Sequence, residues 1–262
     1  MSSNKKLPVK FASVLLIAFG ILSAISPAKA NQATESGKEF GPRVEKARKN
    51  NEQEILKMFE KAELPYPSNN IFLRVFKLER SVELWAKDME TGKYKLIEEY
   101  RACALSGNLG PKRRQGDHQA PEGFYTISGF NPASRFHLSL RVSYPNKSDL
   151  ILGNKLFPGG DIFIHGSCVS DGCVAIRDEP IEKLYLIALD AKTAGQKIIP
   201  VHIFPCRMDK SYCESTLGFF AMDNEELKTF WNSLRPGYDY FEANKTLPEV
   251  RIKTDGDYEL KQ

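Results

Sequence analysis

The stretch IFIHGSCVSDGC, residues 162–173, sets a histidine and two cysteines within nine residues of one another, with glycines at 166 and 172. A cysteine attacks as its thiolate, and a neighbouring imidazole can take the thiol proton and stabilise the anion. His165 at the end of an apolar run and Cys173 in the following loop would meet if that loop folds back, which Gly166 and Gly172 permit. Gly172 lacks a Cβ, so a substrate carbonyl could approach the backbone N–H groups of Gly172 and Cys173. These donors would hold the oxyanion of a tetrahedral intermediate. Three other arrangements use the same residues: a zinc site of His165, Cys168 and Cys173, a Cys168–Cys173 disulfide, or a structural histidine beside an inert cysteine. The local pattern alone leaves all four open.

The ends of the chain bear on which chemistry is useful. Lys5, Lys6 and Lys10 precede an apolar run over residues 11–25, and Ala28-Lys29-Ala30 offers small residues at the two positions a signal peptidase reads. Residues 1–30 are therefore expected to be a signal peptide, cleaved before Asn31. The run is short for a membrane span, which needs about 20 apolar residues, and no later segment reaches that length. Residues 1–30 hold four lysines and no acid, so their removal leaves 33 of the 37 basic residues against 33 acidic ones. The mature chain is neutral, and nucleic-acid binding, which needs a basic face, loses its support. Five cysteines in an exported chain leave one thiol over. Cys206 and Cys213 bracket CRMDKSYC, a polar loop that a local disulfide could close.

These groups need a scaffold. Residues 31–69 are expected to form a helical leader, with Ile55, Leu56, Phe59 and Ala62 on one face, ended by PYPSNN. From Ile71 the texture is β: IFLRVFKLER and SVELWAKD alternate apolar and polar residues, METGKY supplies a turn, and YKLIEEYRACAL continues. Residues 106–121 form a loop rich in Gly, Lys and Arg, and EGFYTISGF, HLSLRVSYPN and DIFIH resume strand character. EPIEKLYLIALDAKTAG is a helix ending at Gly195, and QKIIPVHIFP is a last buried strand. EELKTFWNSL is a second helix, closed by Pro236-Gly237, and the tail from Tyr238 has no assigned role. The expected fold class is mainly β with α.

IHG followed by S-x-G-C, here residues 164–166 and 170–173, resembles the signature of the YkuD-type L,D-transpeptidases, cysteine enzymes of bacterial peptidoglycan. GDHQAPEGFYTI, residues 116–127, is similar to an upstream segment of that family. The close His–Cys spacing, SYPN at 143–146 and GCVAI after the cysteine are most similar to its YafK-like branch. The resemblance covers residues 70–205 as a catalytic domain, with 206–262 as a C-terminal extension. It implies a β-rich fold with one supporting helix and helical N- and C-terminal extensions. It also implies Cys173 as nucleophile, His165 as base and a thioester acyl-enzyme on stem peptides, resolved by an amine or by water. Water would make a hydrolase, and in that branch a wall-attached lipoprotein is a candidate partner. A non-catalytic wall-binding protein is the remaining class. No metal or organic cofactor is implied, and the expected location is the periplasm or cell envelope.

Two positions depart from the family pattern: Asp171 stands where many members have histidine, and Ala175 where many have arginine. Arg177 is the candidate to contact a substrate carboxylate instead. Ser170, Tyr144 and Asn146 are further candidates for substrate contact, although SYPN is equally good turn chemistry. Lys112, Arg113 and Arg114 would suit an anionic glycan-peptide or form a solvated loop. His118 lies in the loop of the upstream segment, as a solvated histidine or one that lines the cleft, and His137 and His202 have packing or hydrogen-bonding roles.

Overall fold

A computed structural model of the protein describes residues 41–261. The expected signal peptide and the start of the leader lie outside these residues. Among the described residues no helix is long and apolar enough to cross a membrane.

The fold is mixed α/β around one nine-stranded sheet. In chain order its strands are β1 (Ile71–Phe76), β2 (Ser81–Lys87), β3 (Tyr94–Arg101), β4 (Ala104–Leu105), β5 (Gly123–Ser134), β6 (His137–Val142), β7 (Phe163–His165), β8 (Val174–Ala175) and β9 (Pro200–Phe204). They lie side by side as β3-β2-β1-β9-β5-β6-β7-β8-β4. β1 pairs parallel with β9 and β7 parallel with β8, while the other neighbours are antiparallel. The helices are α1 (Pro42–Lys61), α2 (Lys147–Leu152), α3 (Asp178–Thr193), α4 (Ser211–Phe220) and α5 (Glu225–Asn244), and a hairpin of β10 (Val250–Ile252) and β11 (Tyr258–Leu260) follows.

Successive residues of a strand face opposite sides of a sheet, and the central strands bury both. Ile71, Leu73 and Val75 of β1 join Val201 and Ile203 of β9 in a core with Ile181, Leu184 and Tyr185 of α3 and Val44, Ala47 and Phe59 of α1. On the other face Phe76 and Phe204 pack against Phe230, Trp231, Leu234 and Tyr238 of α5, and Phe72 and Trp85 against Phe241. The leader is thus a packed helix. Arg48 of α1 pairs with Asp190 at 2.5 Å, and Lys183 of α3 reaches back to Glu54 at 2.6 Å.

The alternation read in β1 as apolar-in, polar-out is in fact apolar on one face and aromatic with one arginine on the other. Arg74 is 1 % exposed. It ion-pairs with Glu242 at 2.7 Å, and its guanidinium carbon lies 4.7 Å from the Phe76 ring centre and 4.8 Å from that of Phe241. A weakly hydrated, planar cation suits such an aromatic cage. The tail that had no role therefore supplies Tyr238, Phe241 and Glu242 to this cage.

Two expectations need correction. Pro236-Gly237 do not close a helix, because α5 runs through them to Asn244. Burial of Leu234, Tyr238 and Phe241 outweighs the roughly 3 kcal/mol that an interior proline costs. At Gly237 a Cβ would come within 2.5 Å of the Phe124 ring, so the residue marks close packing. The sulfurs of Cys206 and Cys213 are bonded, but the segment between them is more than a polar loop, since α4 begins inside it.

His202 of β9 lies edge-on to Phe72 and Phe124, with ring centres at 4.5 and 4.7 Å. Burial, with Arg74 nearby, pushes its imidazole down from 6.5 to about 3. The unfolded chain then binds a proton that the folded one refuses below about pH 6.5. The stability this neutral histidine confers is present above that pH and is lost as pH falls toward 3. In urea unfolding, His202→Phe should flatten that part of the pH dependence, and an unchanged slope would contradict a buried neutral imidazole.

Candidate active site

β7 and β8 place His165 and Cys173. Their parallel register sets Ile164 opposite Val174 and His165 opposite Ala175, so Cys173 immediately precedes β8. Both side chains line one cavity of about 500 Å³, together with Arg135, Phe136, Asp161, Ser170 and Asp171.

Residues 166–173 must carry the chain from the end of β7 back to the start of β8. A Cβ at Gly166 would sit 2.8 Å from the Phe136 carbonyl oxygen, so only glycine fits there. Gly172 adopts φ +89°, in the left-handed region that disfavours side chains. The loop is tied to its surroundings at several points. The Ser167 N–H donates to Asp178 Oδ1 at 2.6 Å. Cys168 is bonded to Cys103, next to β4, and the Cys103 N–H donates to the Ala175 carbonyl at 2.8 Å. Cys168 is thus unavailable both as a zinc ligand and as a partner for Cys173, whose thiol is free.

A second tie was not foreseen from the sequence. Ser106 Oγ accepts the Gly172 N–H at 2.5 Å and lies 3.0 Å from Ser170 Oγ. The Ser106 N–H donates to Ser170 Oγ at 3.1 Å, and Ser170 Oγ lies 2.7 Å from the Cys173 carbonyl oxygen. This corrects two assignments. The Gly172 N–H, expected as an oxyanion donor, is occupied by Ser106, which leaves the Cys173 N–H as the donor of that pair not taken up by it. Ser170 lines the cavity but uses its hydroxyl to hold the loop.

The imidazole is oriented by its own neighbour. His165 Nδ1 lies 2.6 Å from the Gly166 carbonyl oxygen, which only accepts, so Nδ1 carries the proton and Nε2 is the basic nitrogen. The Phe136 ring packs on the imidazole with centres 4.7 Å apart. Burial pushes the His165 pKa down, against the pull of the Gly166 carbonyl. Burial pushes the Cys173 thiol up, and Asp171 and Asp161 add to the rise, while the Phe163 backbone and Lys112 oppose it. The Cys173 Sγ–H points to the Asp161 carbonyl oxygen at 3.6 Å. Both shifts run against the ionised sulfur expected from the spacing, because burial favours the thiol and the neutral imidazole over the ion pair.

The remaining candidates separate clearly. Tyr144 is buried and its hydroxyl donates to the Pro158 carbonyl at 2.8 Å. Asn146 caps α2 and donates through Nδ2 to the Phe124 carbonyl and the Tyr258 hydroxyl. Both are committed to structure, as turn chemistry allowed. Arg177 precedes α3 and is absent from the cavity wall. Lys112 is buried on Asp117 at 2.5 Å and Arg113 lies over the Phe230 ring, so that basic run is built into the loop. His118 pairs with Asp171 at 2.5 Å at the cavity edge, and His137 with Glu182 at 2.7 Å. Arg135, Phe136, Ser106 and Cys103 escaped the sequence reading. The odd cysteine count bears on Cys103, but no motif marks the others.

Ser106→Ala removes the acceptor of a buried N–H and should lower stability by about 1–3 kcal/mol. Ser106→Thr, which keeps the oxygen, should lose less. Chemical unfolding of the two variants reads this, and equal stabilities would mean that Ser106 does not hold the loop.

The YkuD L,D-transpeptidase catalytic domain family matches residues 74–203. Proteins described as "Putative L,D-transpeptidase YafK" in Escherichia coli K12 and O157:H7 are 36 % identical over 184 residues, 70 % of this chain and 70 % of theirs. Among solved structures, the helical cell shape determining protein Pgp2 of Campylobacter jejuni aligns with TM-score 0.42 and 17 % identity, covering 70 % of this chain and 73 % of that one. Bdellovibrio bacteriovorus Bd1075 aligns with TM-score 0.39 and 20 % identity, over 74 % and 77 %. With the family matched across the strands that position His165 and Cys173, and with the 36 % identity to the YafK proteins, the chain belongs to the YkuD family of L,D-transpeptidase catalytic domains.

Proposed function

We propose that the protein is a cysteine acyltransferase of peptidoglycan stem peptides, exported to the periplasm or cell envelope. The observation that carries this reading is a free thiol and a tautomer-fixed imidazole lining the same open cavity. Family membership and the activity named for the YafK proteins support it.

In this reading the Cys173 thiol gives its proton to His165 Nε2 as the sulfur attacks the peptide carbonyl. The proton moves during attack, since burial disfavours the separated ion pair. The oxyanion forms against the Cys173 N–H. Collapse breaks the C–N bond, the imidazolium protonates the leaving amine, and a thioester remains on Cys173. An incoming amine then loses a proton to His165, adds to the thioester and expels the thiol. Transfer to an amine makes a transpeptidase, and transfer to water makes a hydrolase that trims stems or frees a wall-attached lipoprotein.

The test is incubation with defined muropeptides, with and without a second amine-bearing stem, followed by product masses. Crosslinked products that vanish in Cys173→Ala and fall at least a hundredfold in His165→Ala are expected. Hydrolysis alone would replace the transpeptidase assignment, and turnover by Cys173→Ala would end the enzymatic one. The rate should rise as His165 loses its proton, with a midpoint below the ordinary 6.5 of histidine.

A further inference from the structure

The reading above names a substrate backbone but nothing that orients it. We propose that Arg135 binds a carboxylate of the substrate beside the attacked carbonyl, so that the cavity selects peptides carrying a free acid there. The inference rests on that reading for the identity of the peptide, and on the following geometry for the rest.

Arg135 and Phe136 form the two-residue turn between β5 and β6, closed by the pairing of Ser134 with His137. Arg43 of α1 donates to the Ser134 carbonyl at 2.7 Å and to the His137 carbonyl, holding both ends of the turn. Phe136 packs on the His165 imidazole. Arg135 is therefore presented by a rigid element, one residue from the group that touches the base, and it lines the cavity that holds Cys173.

The charges in the cavity wall are unevenly matched. Asp161 is paired with Arg141 at 3.0 Å and Asp171 with His118 at 2.5 Å. Arg135 is exposed and makes no ion pair or hydrogen bond among the described residues. Its guanidinium lies only over its neighbour's ring, 5.4 Å from the centre. The charge left for a ligand is thus a forked cation, whose geometry matches a carboxylate through two parallel N–H···O bonds. The resemblance implies a stem tetrapeptide whose third residue, a diamino acid, is acylated and whose terminal D-alanine leaves, and two carboxylates fit the description: that of the leaving D-alanine and the side-chain carboxylate of the diamino acid.

The experiment is calorimetric titration of Cys173→Ala protein, which cannot turn over, with three synthetic tetrapeptides. One has both carboxylates free, one has the terminal carboxylate amidated, and one has the diamino-acid side-chain carboxylate amidated. One amide should bind about tenfold more weakly than the free acid, and which one identifies the carboxylate. Adding Arg135→Ala should weaken the free acid by a similar factor and abolish the discrimination, while Arg135→Lys restores part of it. Undiminished discrimination in Arg135→Ala, equal binding of all three peptides, or no binding overturns the proposal. Turnover of the free acid by wild type is measured separately. Its absence beside Arg135-dependent discrimination would remove the acyl-transfer reading and leave the carboxylate site standing.

Discussion

The parallel pairing of β7 with β8 is the constraint on which the site depends. Parallel neighbours are ordinarily joined by a crossover of roughly a dozen residues or more, yet here only residues 166–173 make the return. The chain has to reverse twice in that span. It does so through left-handed backbone at Ser167 and Gly172, and Arg177 follows with φ 73°. Such conformations persist only when their surroundings hold them. The Cys103–Cys168 bond, the Ser106 hydroxyl and the Asp178 carboxylate are those holds. They leave Cys173 just before the start of β8 and His165 at the end of the parallel β7, with both side chains lining one cavity.

The rest of the molecule serves that edge of the sheet indirectly. α1 does more than cover the core, because its Arg43 fixes the turn that walls the cavity. On the opposite face, Glu122 accepts the Trp231 indole N–H of α5 at 2.7 Å and pairs with Lys77 at 3.0 Å. Lys77 in turn donates to the Gly110 and Ala120 carbonyls. The loop of residues 106–121 is thereby bound to both the sheet and the C-terminal helix, and Ser106 at its head is a fixed point. Removing either partner of this buried pair would leave an uncompensated charge in the interior.

Most strands of the large sheet and three of the helices were legible because period-2 and helical spacing follow directly from which faces are buried, whereas β8, α2, α4 and the β10–β11 hairpin were not. That His165 and Cys173 could meet was legible because the stretch that holds both is local. What stayed hidden required contacts far apart in sequence. Arg74 looks like any strand arginine until α5, some 160 residues later, closes an aromatic cage over it. The α5 boundary was set too early because a proline was given its local cost without the burial that repays it. Tyr144, Asn146 and Ser170 are polar residues in the right neighbourhood, yet each is engaged by a structural partner, and residue type alone does not separate the two uses. Ser106 and Arg135 carry no motif, and only the fold brings them to Cys173.

The central claim is that Cys173 rests as a thiol, with a neutral His165 taking its proton only during attack. Alkylation of the single free thiol by iodoacetamide, followed by intact mass across pH 5–10, measures its ionisation directly. The account predicts a rate that keeps climbing through pH 8, in line with a thiol raised above its ordinary 9 by burial. A plateau already reached near pH 6, and abolished by His165→Ala, would mean a preformed thiolate–imidazolium pair and would contradict it.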